Sequence, residues 1–384
     1  MDGTMASDRS LAVYVHIPFC VSKCNYCDFN SYANQFSAQS DYFAALNTET
    51  NKYLPDFKAR GIGSIFFGGG TPTSVDTKYL VSALSNLMPY LASANSEISI
   101  ECNPGTIDLA GLQALRSAGF NRLSLGLQSA DDTELAALGR IHLFAQFREA
   151  FACARAAGFE NINVDLMFGI LGQSLKSWES TLANVAALRP EHVSAYGLKV
   201  EEGTPFWELE CAGRLSLPSD SQERQMYRAA ISCLAQAGYE HYEISNFALP
   251  GLECKHNLVY WKCGEYVGIG AGAHSYFDGR RFGNMLGIAE YVGASPECVD
   301  ASEVCEIEHA EQMREFMMLG MRLIGGVSEA EFLERFGVGM KDTFGAELTQ
   351  LVAKGLIEWD GREGAFRLTR NGLDFANQVF IEFV

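Results

Sequence analysis

Three cysteines, Cys20, Cys24 and Cys27, fall within eight residues in the segment HIPFCVSKCNYCDFNSY, and Phe29 stands where a fourth could have stood. Thiolates bind soft and borderline metals, and three on one short loop converge without the entropy of closing a long one. A metal centre is therefore the leading expectation. The alternatives are ordinary buried cysteines or a zinc site completed by a distant histidine or cysteine, although structural zinc ligands usually come as two separated C-x2–4-C knuckles. Downstream, GGGTPT (Gly68–Thr73) offers either a close approach of backbone to ligand at Gly69, Gly70 and Thr71 or a simple strand-to-helix turn. Glu101, closing ISIE, is a carboxylate able to face a cation or to serve the next helix as an N-terminal charge.

These residues need a scaffold, and the pattern around them supplies one. AVYVHIP, SIFFGGG, EISIECNP, RLSLGLQS, NINVDLMFG and HVSAYGLKV read as six buried strands. Segments with helical spacing alternate with them, at Leu80–Tyr90, Leu109–Ala118, Phe144–Ala157 and Leu175–Leu188. Such repeated βα units form an open doubly wound sheet or a partial barrel, and both gather chemistry at the C-terminal strand ends. The cysteine run, Gly68–Thr71, Glu101 and Gln128 each follow or close a strand, and Asp165 lies within the fifth. Residues 13–250 thus read as the α/β barrel unit and 251–305 as an extension carrying HNLVYW, with a helix expected over Ser219–Ala237. Residues 306–384 read as a small, mainly helical, winged-helix-like domain with two short strands, and residues 1–12 as a disordered N-terminus.

The composition narrows the function classes. With 47 acidic against 29 basic side chains the formal charge is −18, so no nucleic acid is expected as a partner. Eleven cysteines, and a start without a basic segment followed by an apolar core, point to a reducing cytoplasmic setting. No apolar run is long enough to span a bilayer, which leaves peripheral attachment at a membrane face.

The spacing C-x3-C-x2-C after a first strand resembles the radical S-adenosyl-L-methionine (radical SAM) superfamily. YVHIPFC, GGGTPT, IECNP, GLQS and NVDLMFGI, in this order, resemble its coproporphyrinogen-oxidase-like branch over nearly the whole chain. The resemblance implies a partial (β/α)6 barrel in which three thiolates hold a [4Fe-4S] cluster and the fourth iron stays open for S-adenosylmethionine. One electron then cleaves the sulfonium to a 5′-deoxyadenosyl radical. By the same resemblance Gly69, Gly70 and Thr71 face the cofactor's amino group, and Glu101 and Tyr14 bind beside them. Tyr26, Gln128, Arg140 and Asp165 match positions around a second S-adenosylmethionine. Read as isolated residues, Arg140 could merely pair with a surface acid, and Asp165 could be a buried hydrogen-bonding group.

HNLVYW, His256 to Trp261, matches an H-N-x-x-Y-W motif of heme-binding members of the branch; imidazole ligates heme iron and aromatic faces pack on a macrocycle. His256 is the first candidate ligand and His274, in YVGIGAGAHSY, a secondary one. That glycine-rich run lacks a full dinucleotide-binding pattern and reads as close backbone packing near the site. The resemblance implies a heme chaperone that delivers heme to respiratory proteins at the membrane, with a homodimer as a further expectation. The alternative is an oxygen-independent coproporphyrinogen III dehydrogenase, but that enzyme resembles C-x3-C-x2-C-x-C where this chain has Phe29. The start only thirteen residues before Tyr14, without the dehydrogenase's longer extension, also favours the chaperone. Radical chemistry on another substrate stays open, whereas a simple electron carrier would have no use for GGGTP and Glu101.

Overall fold

The computed structural model describes residues 10–384. The expected disorder over residues 1–12 lies mostly outside the described residues; where it overlaps them it is corrected, because Leu11 and Ala12 are buried in the first strand. Six parallel strands pair in chain order: β1 (Leu11–Ile17), β2 (Ile62–Gly69), β3 (Glu97–Cys102), β4 (Arg122–Gln128), β5 (Asn161–Phe168) and β6 (His192–Gly197). Their outer face is covered by α1 (Gln39–Arg60), α2 (Thr77–Leu87), α3 (Leu109–Ala118), α4 (Asp132–Ala137), α5 (Phe144–Ala156) and α6 (Leu175–Leu188). Parallel strands covered by helices need near-continuous apolar runs, and these have them. Phe67, Phe120, Phe147 and Trp178 are fully buried in the shared core, each stabilising the fold by roughly 1.5–3 kcal/mol through burial. Asp76, Asp108 and Ser174 cap α2, α3 and α6, accepting backbone N–H groups where the strand-end loops turn into helix.

A partial barrel leaves two strand edges unpaired, and the extension covers both. After α7 (Pro205–Cys211) and α8 (Asp220–Gln236), β7 (Glu240–Glu243) and β8 (Asn246–Ala248) return antiparallel beside β6. Then α9 (Lys255–Trp261) leads to β9 (Tyr266–Ile269), which pairs in parallel with β1. Beyond β9, β10 (His274–Phe277), β11 (Arg280–Gly283) and, after α10 (Ile288–Ala294), β12 (Cys305–Glu306) add antiparallel strands. The result is one twelve-stranded sheet, ordered β12-β11-β10-β9-β1-β2-β3-β4-β5-β6-β8-β7. Residue 250 is therefore no break in the sheet: strands on its two sides close opposite edges.

The C-terminal unit comprises α11 (His309–Gly320), β13 (Val327–Ser328), α12 (Glu329–Phe336), α13 (Met340–Ala353), β14 (Ile357–Asp360) and β15 (Ala365–Leu368), with sheet order β13-β15-β14. Two short helices follow, α14 (Arg370–Asp374) and α15 (Ala376–Phe380), separated at Phe375, whose φ of −129° is not helical. A separate core of Met317, Phe332, Phe344 and Leu348 holds this unit together. It docks on the extension through a bidentate Arg281–Glu315 pair at 2.6 and 2.9 Å and through Arg335, which donates to the Lys262 and Cys263 carbonyls. No helix among the described residues is long and apolar enough to cross a membrane.

Glu49 of α1 fastens the extension from below. Its buried carboxylate accepts from the Gly270 N–H (2.9 Å), the Asn284 amide (2.7 Å) and the Tyr291 hydroxyl (2.5 Å). Burial outweighs these donors and pushes its pKa up from 4.5 to about 7. A carboxyl raised on folding stabilises the fold below its unfolded pKa, and that stabilisation is lost as pH rises through about 7. Urea unfolding of the wild type and of Glu49→Gln at pH 5 and pH 8 measures this directly. The wild type is expected to lose roughly 2–3 kcal/mol relative to the variant over that interval; parallel pH profiles would show that Glu49 keeps its charge.

Candidate functional site

The cysteine loop leaves the C-terminal end of β1 and is tied down on three sides. Phe19–Cys20 pairs in parallel with Tyr32–Ala33, which brings the loop back to its start. Asn25 fastens it to the α4 side: its N–H donates to the Leu138 carbonyl (3.0 Å), its side chain to Ala137 (3.1 Å), and its carbonyl accepts from the Phe206 N–H (3.0 Å). Asn30 fastens it to the extension, donating to the carbonyls of Ala271 (3.1 Å) and Leu286 (2.9 Å). The Asn30 carbonyl in turn accepts from His16 Nε2 at 2.8 Å, and the Tyr14 hydroxyl donates to His16 Nδ1 at 3.1 Å. Burial lowers the His16 pKa to about 4, so this ring is neutral and serves as a fixed relay of hydrogen bonds.

Cys20, Cys24 and Cys27 line one cavity of about 360 Å³, together with Gly69, Gly70, Thr71, Glu101, Gln128, Arg140, Asp165 and Tyr26. Among the described residues no three His, Cys, Asp or Glu side chains converge tightly enough to hold a single metal ion. The thiols instead border a space that suits a group larger than one ion. Burial pushes the Cys20 and Cys27 thiols up, so a bound metal must displace their protons. Arg140, half-buried, places Nη1 3.4 Å from Cys24 Sγ, a positive charge beside one of the three sulfurs. The backbone of Gly69 and Gly70 closes the wall: a Cβ on Gly70 would lie 2.6 Å from the Phe19 carbonyl and 3.0 Å from Cys20 Sγ, and Gly69 has φ +116°.

The polar groups facing this cavity fall into two sets. Glu101 accepts the Gly69 N–H at 3.1 Å; burial, then the nearby Asp165 carboxylate, raise its pKa to about 8. Gln128 is buried with φ +68°, an uncommon conformation for a non-glycine residue, and its side-chain oxygen has no partner among the described residues. Glu101 and Gln128 thus present unmet demand for a cation and a donor. Asp165, by contrast, accepts from Ser124 (2.8 Å) and Asn163 (2.9 Å), one oxygen each, so it belongs to the barrel's internal network as much as to the cavity. Arg140 does not pair with a surface acid: its Nη2 donates to Asn103 Oδ1 (2.5 Å) and the Gly126 carbonyl (3.1 Å). Burial also pushes the Tyr26 hydroxyl pKa up beside Arg140. Asn103 and His16, not singled out from the sequence, sit inside the quoted IECNP and HIPFC segments; Asn103 also donates to Thr71 Oγ1 at 2.8 Å.

The structure corrects the reading of His256 as an available heme ligand. The HNLVYW segment forms α9, which lies at the N-terminal ends of the strands, where Glu97 accepts from the backbone N–H groups of Lys255 (3.1 Å) and His256 (3.2 Å). His256 is 1% exposed and both ring nitrogens are engaged, Nδ1 with Ser64 Oγ at 3.0 Å and Nε2 with the Tyr260 hydroxyl at 2.8 Å. Burial and the charge of Arg122 hold its pKa near 3, so it is a neutral plug of the barrel floor. The motif's Tyr260, not its histidine, lines a second cleft beside the cysteine loop, together with Tyr14, Gly69, Glu101, Tyr266 and His274.

A six-stranded parallel barrel with a three-thiol cavity at its strand ends defines the radical SAM class. The family profile of the radical SAM superfamily matches residues 14–185 and that of the HemN C-terminal domain matches residues 307–375. The chain belongs to this superfamily and, within it, to the HemW family. It is 39% identical to heme chaperone HemW of Bacillus subtilis, over 97% of this chain and 99% of that protein. It is 33% identical to heme chaperone HemW of Escherichia coli, over 97% and 98%. The bovine mitochondrial radical S-adenosyl methionine domain-containing protein 1 is 34% identical over 97% of this chain and 87% of its own length. Among solved structures, the coproporphyrinogen III oxidase HemN of Escherichia coli, a radical SAM enzyme, superposes with a TM-score of 0.82 at 24% identity, covering 98% of this chain and 90% of that one. At that identity the likeness speaks for the fold.

A cationic ligand seated against Glu101 must expel its proton below about pH 8. Binding of S-adenosylmethionine to the cluster-loaded protein is accordingly expected to strengthen roughly fivefold from pH 7 to pH 8. Calorimetry in two buffers of different ionisation enthalpy would count the proton released. Glu101→Gln is expected to remove that component, and identical proton counts in wild type and variant would refute it.

Proposed function

We propose that this chain is a heme chaperone: it holds a [4Fe-4S] cluster on Cys20, Cys24 and Cys27, binds S-adenosylmethionine beside it, and delivers heme to respiratory-chain proteins at a membrane. The observation that carries the reading is full-length similarity to proteins named heme chaperones, spanning the barrel, extension and C-terminal unit together. Three further observations support the site. The thiols border a cavity large enough for a cluster, Gly69 and Gly70 leave room for close backbone approach, and the carboxylate of Glu101 faces the same space. The cluster supplies electron transfer and a Lewis-acidic open iron when bound. The chain's own residues orient the cofactor: Arg140 with Asn103 brace the Cys24 side, and Gln128 offers a free amide oxygen.

Phe29 stands at the cavity mouth, 64% exposed, where the porphyrin-decarboxylating enzyme of this branch resembles a fourth cysteine. Its position supports carriage of heme over oxidation of a porphyrin. The setting is the cytoplasm with transient attachment at the inner membrane face, and the working unit is a dimer.

Anaerobic reconstitution followed by two measurements on one sample tests the proposal. Stoichiometric uptake of heme is expected, without conversion of coproporphyrinogen III when reductant and S-adenosylmethionine are supplied. Sustained formation of protoporphyrinogen would replace the chaperone with the decarboxylase. Cys20→Ser, Cys24→Ser and Cys27→Ser are each expected to lose most bound iron and the cluster's visible absorbance.

A further inference from the structure

Asn103, the residue that follows β3, divides its side-chain amide between two flanks of the thiol cavity. Its Nδ2 donates to Thr71 Oγ1 at 2.8 Å, and its Oδ1 accepts from Arg140 Nη2 at 2.5 Å. Each partner in turn meets a thiol. Thr71 Oγ1 lies 3.7 Å from Cys20 Sγ, within hydrogen-bond reach of sulfur, and Arg140 Nη1 lies 3.4 Å from Cys24 Sγ. Thr71 follows β2 and Arg140 follows α4, so three separate strand-end segments converge on one amide. The first two cysteines of the C-x3-C spacing are thereby linked by a path that runs outside their own loop.

The chemistry of each group sets the direction of the chain. An amide offers a donor and an acceptor on one short side chain, whereas a carboxylate of the same shape only accepts. Because the Asn103 N–H occupies a lone pair of Thr71 Oγ1, the Thr71 hydroxyl hydrogen is left to point at Cys20; Arg140 can only donate. Both arms therefore end as donors on sulfur. The surroundings hold the amide in place: the Asn103 carbonyl accepts from the Thr106 hydroxyl (2.7 Å) and N–H (3.2 Å). Gly126 of β4 leaves the room in which amide and guanidinium meet, since a Cβ there would lie 2.5 Å from Asn103 Oδ1 and 3.2 Å from Arg140 Nη2.

We propose that Asn103 is a positioning residue for the metal centre: by holding Thr71 against Cys20 and Arg140 against Cys24, it sets the ease with which a bound cluster takes up an electron. The proposal rests on the [4Fe-4S] reading and adds to it a residue that acts through its neighbours. An added electron increases the negative charge on the cluster's thiolates, and a donor on the sulfur stabilises that charge, so each donor raises the reduction potential.

The test uses full-length protein reconstituted anaerobically with iron and sulfide. Iron is counted, and the midpoint potential is read by a mediated redox titration followed by electron paramagnetic resonance. Asn103→Leu, similar in size but without donor or acceptor, is expected to keep its iron. At a fixed potential its ratio of reduced to oxidised cluster is expected to fall roughly tenfold, about 59 mV for one electron. Thr71→Val, which removes the Cys20 arm alone, is expected to shift in the same direction by less, and the two substitutions together by less than the sum of the single effects. A wild-type potential in iron-loaded Asn103→Leu, or fully additive shifts in the double variant, would overturn the proposal and leave the cluster reading standing. Should Asn103→Leu fail to fold or to hold iron, Thr71→Val decides: a lowered potential supports the proposal and an unshifted one refutes it. Failure of the folded wild type to take up a four-iron cluster would remove the cluster reading and the proposal together.

Discussion

The side-chain amide of Asn30 is the joint on which the site turns. The backbone carbonyl of the same residue accepts from His16 of the first strand, while the amide gives both its hydrogens to the extension, at Ala271 and Leu286. Segments some 240 to 256 residues apart in the chain are thereby fixed against one another, and no apolar contact could set their register so narrowly. The cysteine loop, the β9 edge and the walls of both cavities take their positions from it. Tyr42 of α1 reinforces the joint, donating to the His16 carbonyl at 2.8 Å and accepting from the Ala271 N–H at 3.0 Å.

The barrel interior shows how a polar centre can be kept inside an apolar shell. Asn163 donates to Ser124 and Asp165 and accepts from His192 and Ser194, so one amide meets its full bonding capacity. Arg122 lies buried in the same interior, and its charge offsets those of Glu97 and Asp165. Below, Glu97 closes the floor by capping α9; above, Glu101 is left with a single backbone donor. Arg122 Nε in the interior and Gln128 Oε1 at the cavity stay without a hydrogen-bond partner among the described residues. Low local dielectric makes the residual demand at the top costly without a ligand and strongly attractive to a cation.

The first five strands and the helices α3, α5 and α6 agree with the periodicity to within about two residues, because each buries an apolar stripe; the sixth strand stops at Gly197, short of the expected Val200, and the short α4 has no counterpart in the sequence reading. The longest helix, α1, does not stand out in the sequence: Pro55 lies inside it, and Glu49 and Thr50 occupy its buried face. The pairing of β9 with β1 was also out of reach, since it joins residues about 250 positions apart and leaves no local signature. The thiols, the glycine run and Glu101 were legible as chemistry because their spacing along the chain equals their order around the barrel mouth. His256 was misleading for a physical reason: its type suggests a ligand, but only three dimensions reveal that Ser64 and Tyr260 consume both nitrogens. Asn103 and Asn30 carry no pattern of their own, being polar residues whose partners come from other strands and loops.

Phe29 borders both cavities, and its backbone carbonyl is held by Lys23 of the same loop at 3.1 Å. A partition shared by two chambers makes their contents interdependent. A loop shaped by its metal centre also shapes the neighbouring chamber, and loss of that centre would loosen a wall on each side at once. A disturbance on the thiol side, such as oxidation of the cysteines, would therefore alter the shape of the tyrosine-lined cleft as well.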